Sequence, residues 1–204
     1  IVVIIINKQL VSYGGDVAVG AYGIANRMMF FFVMVVIGIN QGMQPIAGFN
    51  FGAKHYTRLN QVLKYAITIA TGIWIVGFIV CVLLATPVAS AFTNDEELLK
   101  EAAHALRVMN LVVPIIGFQM ITIGFFQSIG KAGISIFLSL TRQLLFLVPL
   151  LLILPNFFGL EGIWYSVPIA DGTAAITAAI VLIYHMRKFK MRGKLENSNL
   201  QTEI

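Results

Sequence analysis

Three ionisable side chains, Arg27, Arg142 and Asp171, lie inside stretches that are otherwise apolar. Each stretch is about 20 residues long, enough to cross a bilayer. An ionisable group in hydrocarbon costs about 2.5–3.5 kcal/mol on insertion scales, so its presence points to an ion pair, a polar cavity or a solute path. Counting 1.5 Å per residue from the span ends puts Arg27 about 16 Å and Asp171 about 15 Å below one face, with Arg142 about 13 Å from the other. All three are expected near the midplane of a core about 30 Å thick. Arg142 and Asp171 fall on consecutive spans joined by a loop of about seven residues, which makes those spans antiparallel neighbours and the two side chains mutually reachable. The pair reads either as the border of a polar cavity or as an ion pair that locks two helices together. Arg27 reads as facing the same cavity or, with its span shifted to begin at Met28, as snorkelling to the interface. Gln119, with Thr122 and Gln127 further along its span, completes a candidate polar ring, for which hydrogen bonding between helices is the plainer alternative.

Other residue types offer less. Trp74 is expected at mid-depth, as a packing residue or as a ring for an organic cation, and Trp164 fits the interfacial aromatic belt. Pro114, Pro149 and Pro168 fall inside spans, where each removes a donor and favours a kink; Pro168 with Asp171-Gly172 is the best candidate for a functional break. Gly124 to Ala132 superficially resembles a phosphate loop, but its glycine spacing is wrong and Ala132 stands where a magnesium-binding hydroxyl belongs. His55, His104 and His185 share no helical face, so no metal site is expected. Cys81 is the one cysteine and lies within a span, which excludes an internal disulfide. No catalytic residue, enzyme activity or organic cofactor is expected.

The elements that must position these groups follow from composition. Of 204 residues, 58% are hydrophobic and 11% charged, and the mean hydropathy is +0.87. A soluble domain carries roughly 25% charged residues. The fold class is therefore an all-α membrane protein, a polytopic bundle of about five complete spans. The spans are expected near residues 17–42, 65–85, 108–130, 134–154 and 162–183, and the apolar run from Ile1 to Val11 reads as the end of a further helix, before a turn at Tyr13-Gly14-Gly15-Asp16. Ile1 is not Met, and the run lacks the flanks of a signal peptide, so the chain is read as a fragment. The net charge of +5 comes from basic residues beside spans, not interleaved with stacking aromatics, which argues for membrane orientation against nucleic acid. Lys54, Arg58, Lys64, Lys131 and the tail residues Arg187 to Lys194 share one side; Lys8, Lys100 and Arg107 share the other. That asymmetry puts the carboxyl terminus in the cytoplasm. The sequence Asn94-x-x-Glu97 predicts a helix start and a short amphipathic helix on the outer surface. Residues 1–188 are expected to form the transmembrane unit, with 189–204 a tail that is disordered from Leu195.

One stretch is specific. Gly38-Ile-Asn-Gln41-Gly42-Met-Gln44-Pro45-Ile-Ala-Gly48-Phe-Asn50-Phe-Gly52-Ala-Lys54 closes the first complete span on the cytoplasmic side. Its glycines permit close approach and positive φ, Pro45 is expected to stop the helix, and Gln41, Gln44 and Asn50 can satisfy freed carbonyls. The string resembles the turn that closes an even-numbered helix in the multidrug and toxic compound extrusion (MATE) family. Phe125-Phe126-Gln127-Ser-Ile-Gly130-Lys131-Ala132 with Arg142-Gln143, and Leu160-Glu161-Gly162-Ile163-Trp164 with Pro168 and Asp171, resemble two further stretches of that family in the same order.

The resemblance implies the second half of a twelve-helix transporter: the end of helix seven, then helices eight to twelve. It also implies a secondary antiporter in the cell membrane that expels amphipathic, often cationic, drugs or metabolites against Na+ or H+. The other lobe, small solutes and the bilayer would be its partners, and Gln41, Gln44, Pro45, Asn50 and Gly52 would form a cytoplasmic gate. Many family members carry coupling acids on helices one, seven or ten; Asp171 is the membrane carboxylate here, so ion coupling is expected mostly in the other lobe. A lipid-linked oligosaccharide flippase of the same superfamily and a non-transporting membrane scaffold are the alternatives.

Overall fold

A backbone in hydrocarbon must bond its own polar groups, which helices do within a single segment. The structure, a computed structural model, describes the backbone of residues 2–202 and the side chains of residues 2–187. Its elements are α1 (Val2–Gly52), α2 (Tyr56–Phe78), α3 (Ala85–Ser90), α4 (Glu96–Met109), α5 (Val113–Ser128), α6 (Ala132–Leu140), α7 (Val148–Phe158) and α8 (Leu160–Thr202), with π-helical segments at Ile79–Leu83 and Thr141–Leu147. Four runs are long and apolar enough to cross a membrane: Val2–Gly52, Tyr56–Leu83, Ala132–Phe158 and Leu160–Arg187. Helices α4 and α5, bent by 56° at their junction, pass the same test only when taken together, which gives up to five spans if that bent pair is one.

The turn expected at residues 13–16 is a break inside α1, where Gly15 adopts φ 61° and ψ −157°. That φ suits glycine because other residues carry a Cβ that crowds the backbone there. Chain ends alternate between two ends of the bundle. At the acidic end Tyr13 donates to Asn156 Oδ1 at 3.0 Å, and Gly20 faces Leu98. At the opposite, tail end Gly48 faces the Ser128 carbonyl, and Phe126 packs on His185 with ring centroids 5.2 Å apart. Helix α5 is central and packs on α1, α2, α6 and α8. Its glycines admit close neighbours: Gly117 faces the Trp74 ring, and Gly124 faces the Asn40 amide.

Several expectations need correction. Pro45 does not end the first span, because α1 continues to Gly52. Proline's φ is already helical, and its lost bond falls at the carbonyl of Gln41 on an exposed face. The positive φ of the following turn belongs to Lys54 (58°) and not to a glycine. Pro114 lies in the first turn of α5, where no donor is required. The bend of that span sits just before it, at residues 110–112. Pro168 leaves α8 continuous, so it does not produce the expected break.

The surface helix predicted after residue 94 is α4, but it packs on α1, α3 and α8 and buries Ala102, Ala103, Ala105 and Leu106. Its apolar stripe is wide enough to require a protein neighbour. The cap is Asp95, whose carboxylate accepts from Leu98 N at 2.9 Å. Asp95→Ala is therefore expected to lower stability by about 1 kcal/mol, with Asn94→Ala near neutral, as read by thermal unfolding in detergent. Helix α8 also extends through Leu195: residues 180–195 are rich in Lys, Arg, Met and Leu, good helix formers, with one glycine. Side chains of the basic tail beyond Arg187, and residues 203–204, lie outside the described residues.

Candidate functional site

Arg142 and Asp171 meet. The segment Thr141–Leu147 is π-helical, and Val148 N bonds the Gln143 carbonyl, five residues back. Pro149 follows in the first turn of α7, so its missing N–H falls where the helix is changing register. The extra residue per turn sets which face Arg142 occupies. Helix α8 runs antiparallel alongside and presents Asp171 at the matching level. Arg142 Nε donates to Asp171 Oδ1 at 2.5 Å. The carboxylate side chain is 3% exposed and the guanidinium 31%, so the pair is buried on the acid side and open on the arginine side. Asp171 Oδ2 is buried with no partner among the described residues. The cost of desolvating Asp171 is offset only while Arg142 stays beside it.

The other sequence candidates lie apart from this pair. Arg27 is exposed and pairs with no described residue. Gln119 is buried on α5, with neither Oε1 nor Nε2 hydrogen-bonded among the described residues. Thr122 bonds back to the Phe118 carbonyl at 2.8 Å, and Gln127 is exposed at the tail end, so no hydrogen-bonded ring connects them. Trp74 is fully buried and packs against Phe32, with ring centroids 6.0 Å apart, which makes it a packing residue. Trp164 is not turned to the lipid interface as expected: it is fully buried and donates from Nε1 to Glu101 Oε1 at 2.9 Å. The reason is α4, which covers the start of α8 and offers the indole an acceptor.

At the turn after α1, Asn50 is buried and donates to the Ile46 carbonyl at 2.8 Å, the capping role expected of it. Gln41, Pro45 and Gly52 are exposed and Gln44 is half-buried. Their placement gives a compact helix end open to solvent on one side.

Three contacts were not anticipated. Asn40 donates to the Met120 carbonyl at 3.4 Å, opposite the gap left by Gly124. Ser135 donates to the Ile123 carbonyl. His104 Nε2 lies 2.8 Å from Glu161 Oε1, beside an acidic-end depression of about 440 Å³ lined by Gly14, Val17, Glu96, Glu97, Lys100, Glu101 and Leu160. A polar residue within a span opposite a glycine of another span is the signal that could have found the Asn40 contact. Among the described residues no cluster of His, Cys, Asp or Glu could hold a metal.

Comparisons agree with this architecture. The Multidrug export protein MepA of Staphylococcus aureus (strain MSSA476) is 26% identical over 184 residues, which cover 90% of this chain and 40% of that protein. The Staphylococcus haemolyticus protein of the same name is 24% identical over the same length. A MATE crystal structure in the bent conformation superposes with a TM-score of 0.88 at 24% identity, covering 95% of this chain and 43% of the other. A MOP superfamily transporter from Pyrococcus furiosus, whose binding pocket is described as of reverse polarity, superposes with a TM-score of 0.85 at 25% identity, covering 93% and 43%. The chain thus spans about 40% of the length of the curated relatives it matches. The MatE family model matches residues 2–153, and with the helical architecture and these relatives this establishes the chain as a multi-pass membrane protein of the MatE family.

Proposed function

We propose that the chain forms the second lobe, from the end of helix seven through helices eight to twelve, of a secondary antiporter that exports amphipathic drugs or metabolites in exchange for Na+ or H+. The observation that carries this reading is the Arg142–Asp171 pair, a charge pair kept inside two apolar spans and open to the surface on its arginine side. Buried carboxylates with no exit need only a partner; this one has a partner that reaches out to a face the bundle leaves uncovered. Rocking of two lobes about a central cavity would expose that face alternately to either side. The turn at Gln41, Gln44, Pro45, Asn50 and Gly52 would serve as a rigid gate element, with the tail in the cytoplasm. Ion coupling would draw mostly on acids of the other lobe, and cationic solutes would need carboxylates from there as well.

The test is export of ethidium from vesicles holding the full chain, under imposed Na+ or H+ gradients. Export driven by one gradient and slowed about tenfold or more by Asp171→Asn is expected, since the substitution removes one charge of a close pair. Export indifferent to both gradients would end the antiport reading.

A further inference from the structure

Among the described residues two spans carry a π-helical segment, and one of these segments holds a charged side chain. In the span that begins with α2 the segment is Ile79–Leu83, with no charged residue. In the span of α6 and α7 it is Thr141–Leu147, and Arg142 lies in its first turn. A π turn is rare, because it holds a residue more than the α register would, and it needs something to keep it in place. One holder is local. Pro149 has no N–H, so the bond it would make in the α register, to the Leu145 carbonyl, does not form. The wide turn stops there against α7, and Val148 N reaches the Gln143 carbonyl, five residues back. The other holder is tertiary. Arg142 Nε donates to Asp171 Oδ1 at 2.5 Å, and Asp171 sits on the continuous helix α8 with a side chain 3% exposed. Arg142 is thus pinned at one angle about its helix by a partner that cannot follow it. Upstream, Ser135 of α6 donates to the Ile123 carbonyl of α5, which fixes the other end of the span. Between Ser135 and Pro149 the wide turn can travel along the helix without displacing either end. Each residue it passes turns by about 100°.

We infer that Thr141–Leu147 is a rotary switch held by the Arg142–Asp171 pair. While the pair is made, the wide turn stays around Arg142. When the pair is broken, the wide turn moves toward α6, and the residues it passes rotate away from α8. Arg142 has room to leave, since its side chain is 31% exposed on the side away from Asp171. The segment then has two discrete arrangements, and one buried contact between two spans selects which of them is populated. The switch belongs to the geometry of this span and stands apart from what the lobe carries.

The test is the distance between two spin labels in the full chain in nanodiscs, read by pulsed electron resonance on a Cys81→Ala background. One label sits at Ile176 of α8. The second sits at Leu144, inside the π segment, or at Leu152 of α7, beyond it; all three positions are exposed. With the pair intact, each couple should give a single distance. Arg142→Met with Asp171→Leu removes the pair without stranding a charge. It should move the Leu144 distance by about 5 Å, since a point about 5 Å from a helix axis travels further than that in such a turn, while the Leu152 distance stays. Asp171→Asn, whose amide oxygen still accepts from Arg142 Nε, should give both Leu144 distances side by side. A Leu144 distance unchanged in each of these variants that folds would overturn the inference. So would an equal shift at Leu144 and Leu152, the mark of the whole span moving as one body. Solute export does not enter the readout, so a failure here leaves the transport reading standing, and a failure of export leaves the switch standing.

Discussion

Asp171→Ala is expected to lower the stability of the folded protein by about 3 kcal/mol, a loss visible as a large drop in thermal midpoint in detergent. The substitution strands Arg142 between two helices with no counter-charge, and removing one partner of a buried pair typically costs about 3–5 kcal/mol. The lower end applies because the guanidinium is 31% exposed and so keeps part of its hydration. Replacing both residues, Arg142→Met with Asp171→Leu, should recover most of the loss, since a well-packed apolar pair often matches a buried ion pair. A double variant as unstable as the single one would show that the pair itself, and not the stranded charge, sets the stability.

Gly162→Ala should be nearly as damaging. A Cβ there would lie 2.5 Å from Leu154 C and O and 2.7 Å from Pro155 N. These are backbone atoms of the preceding helix, which cannot turn aside as a side chain can. Separating α7 from α8 at their joint would cost about 1–3 kcal/mol, toward the upper end, and would carry Asp171 away from Arg142. Gly172→Ala is the matched control, with open space around the position; there alanine should be neutral or stabilise by up to about 1 kcal/mol through helix propensity. Equal midpoints for the two variants would contradict the packing of α8 on α7.

Much of this could be read from the residue string. The spans were legible because hydropathy over about 20 residues is a local quantity that a bilayer converts directly into helix. The Arg142–Asp171 pairing was legible for a related reason: a short loop between two spans leaves little choice but an antiparallel hairpin, and counting residues from that loop matches their depths. The break at Gly15 and the capping by Asn50 followed from local backbone chemistry in the same way. Elsewhere the simplest local rule failed, in one case to a contact from a distant helix. Asn94 looked like the better cap, yet Asp95 holds it. Trp164 has the amphipathic ring of an interfacial residue, yet Glu101 of α4 draws its indole inward. Pro45 and Pro168 carry helix-breaking chemistry, yet both sit within continuous helix.

Sequence alone thus determined that the chain is built of helices long and apolar enough to cross a membrane, and which neighbouring spans bring two of its charges together. Hydropathy and the rise of a helix are properties of short segments, and they need no knowledge of the rest of the fold. Tertiary structure alone decided which way each side chain points around its helix: Arg142 partly outward from a π-helical turn, Asp171 inward, Arg27 uncovered, and Asn40 beside Gly124. Rotation about a helix axis costs the isolated helix nothing, so it is set by packing against other helices.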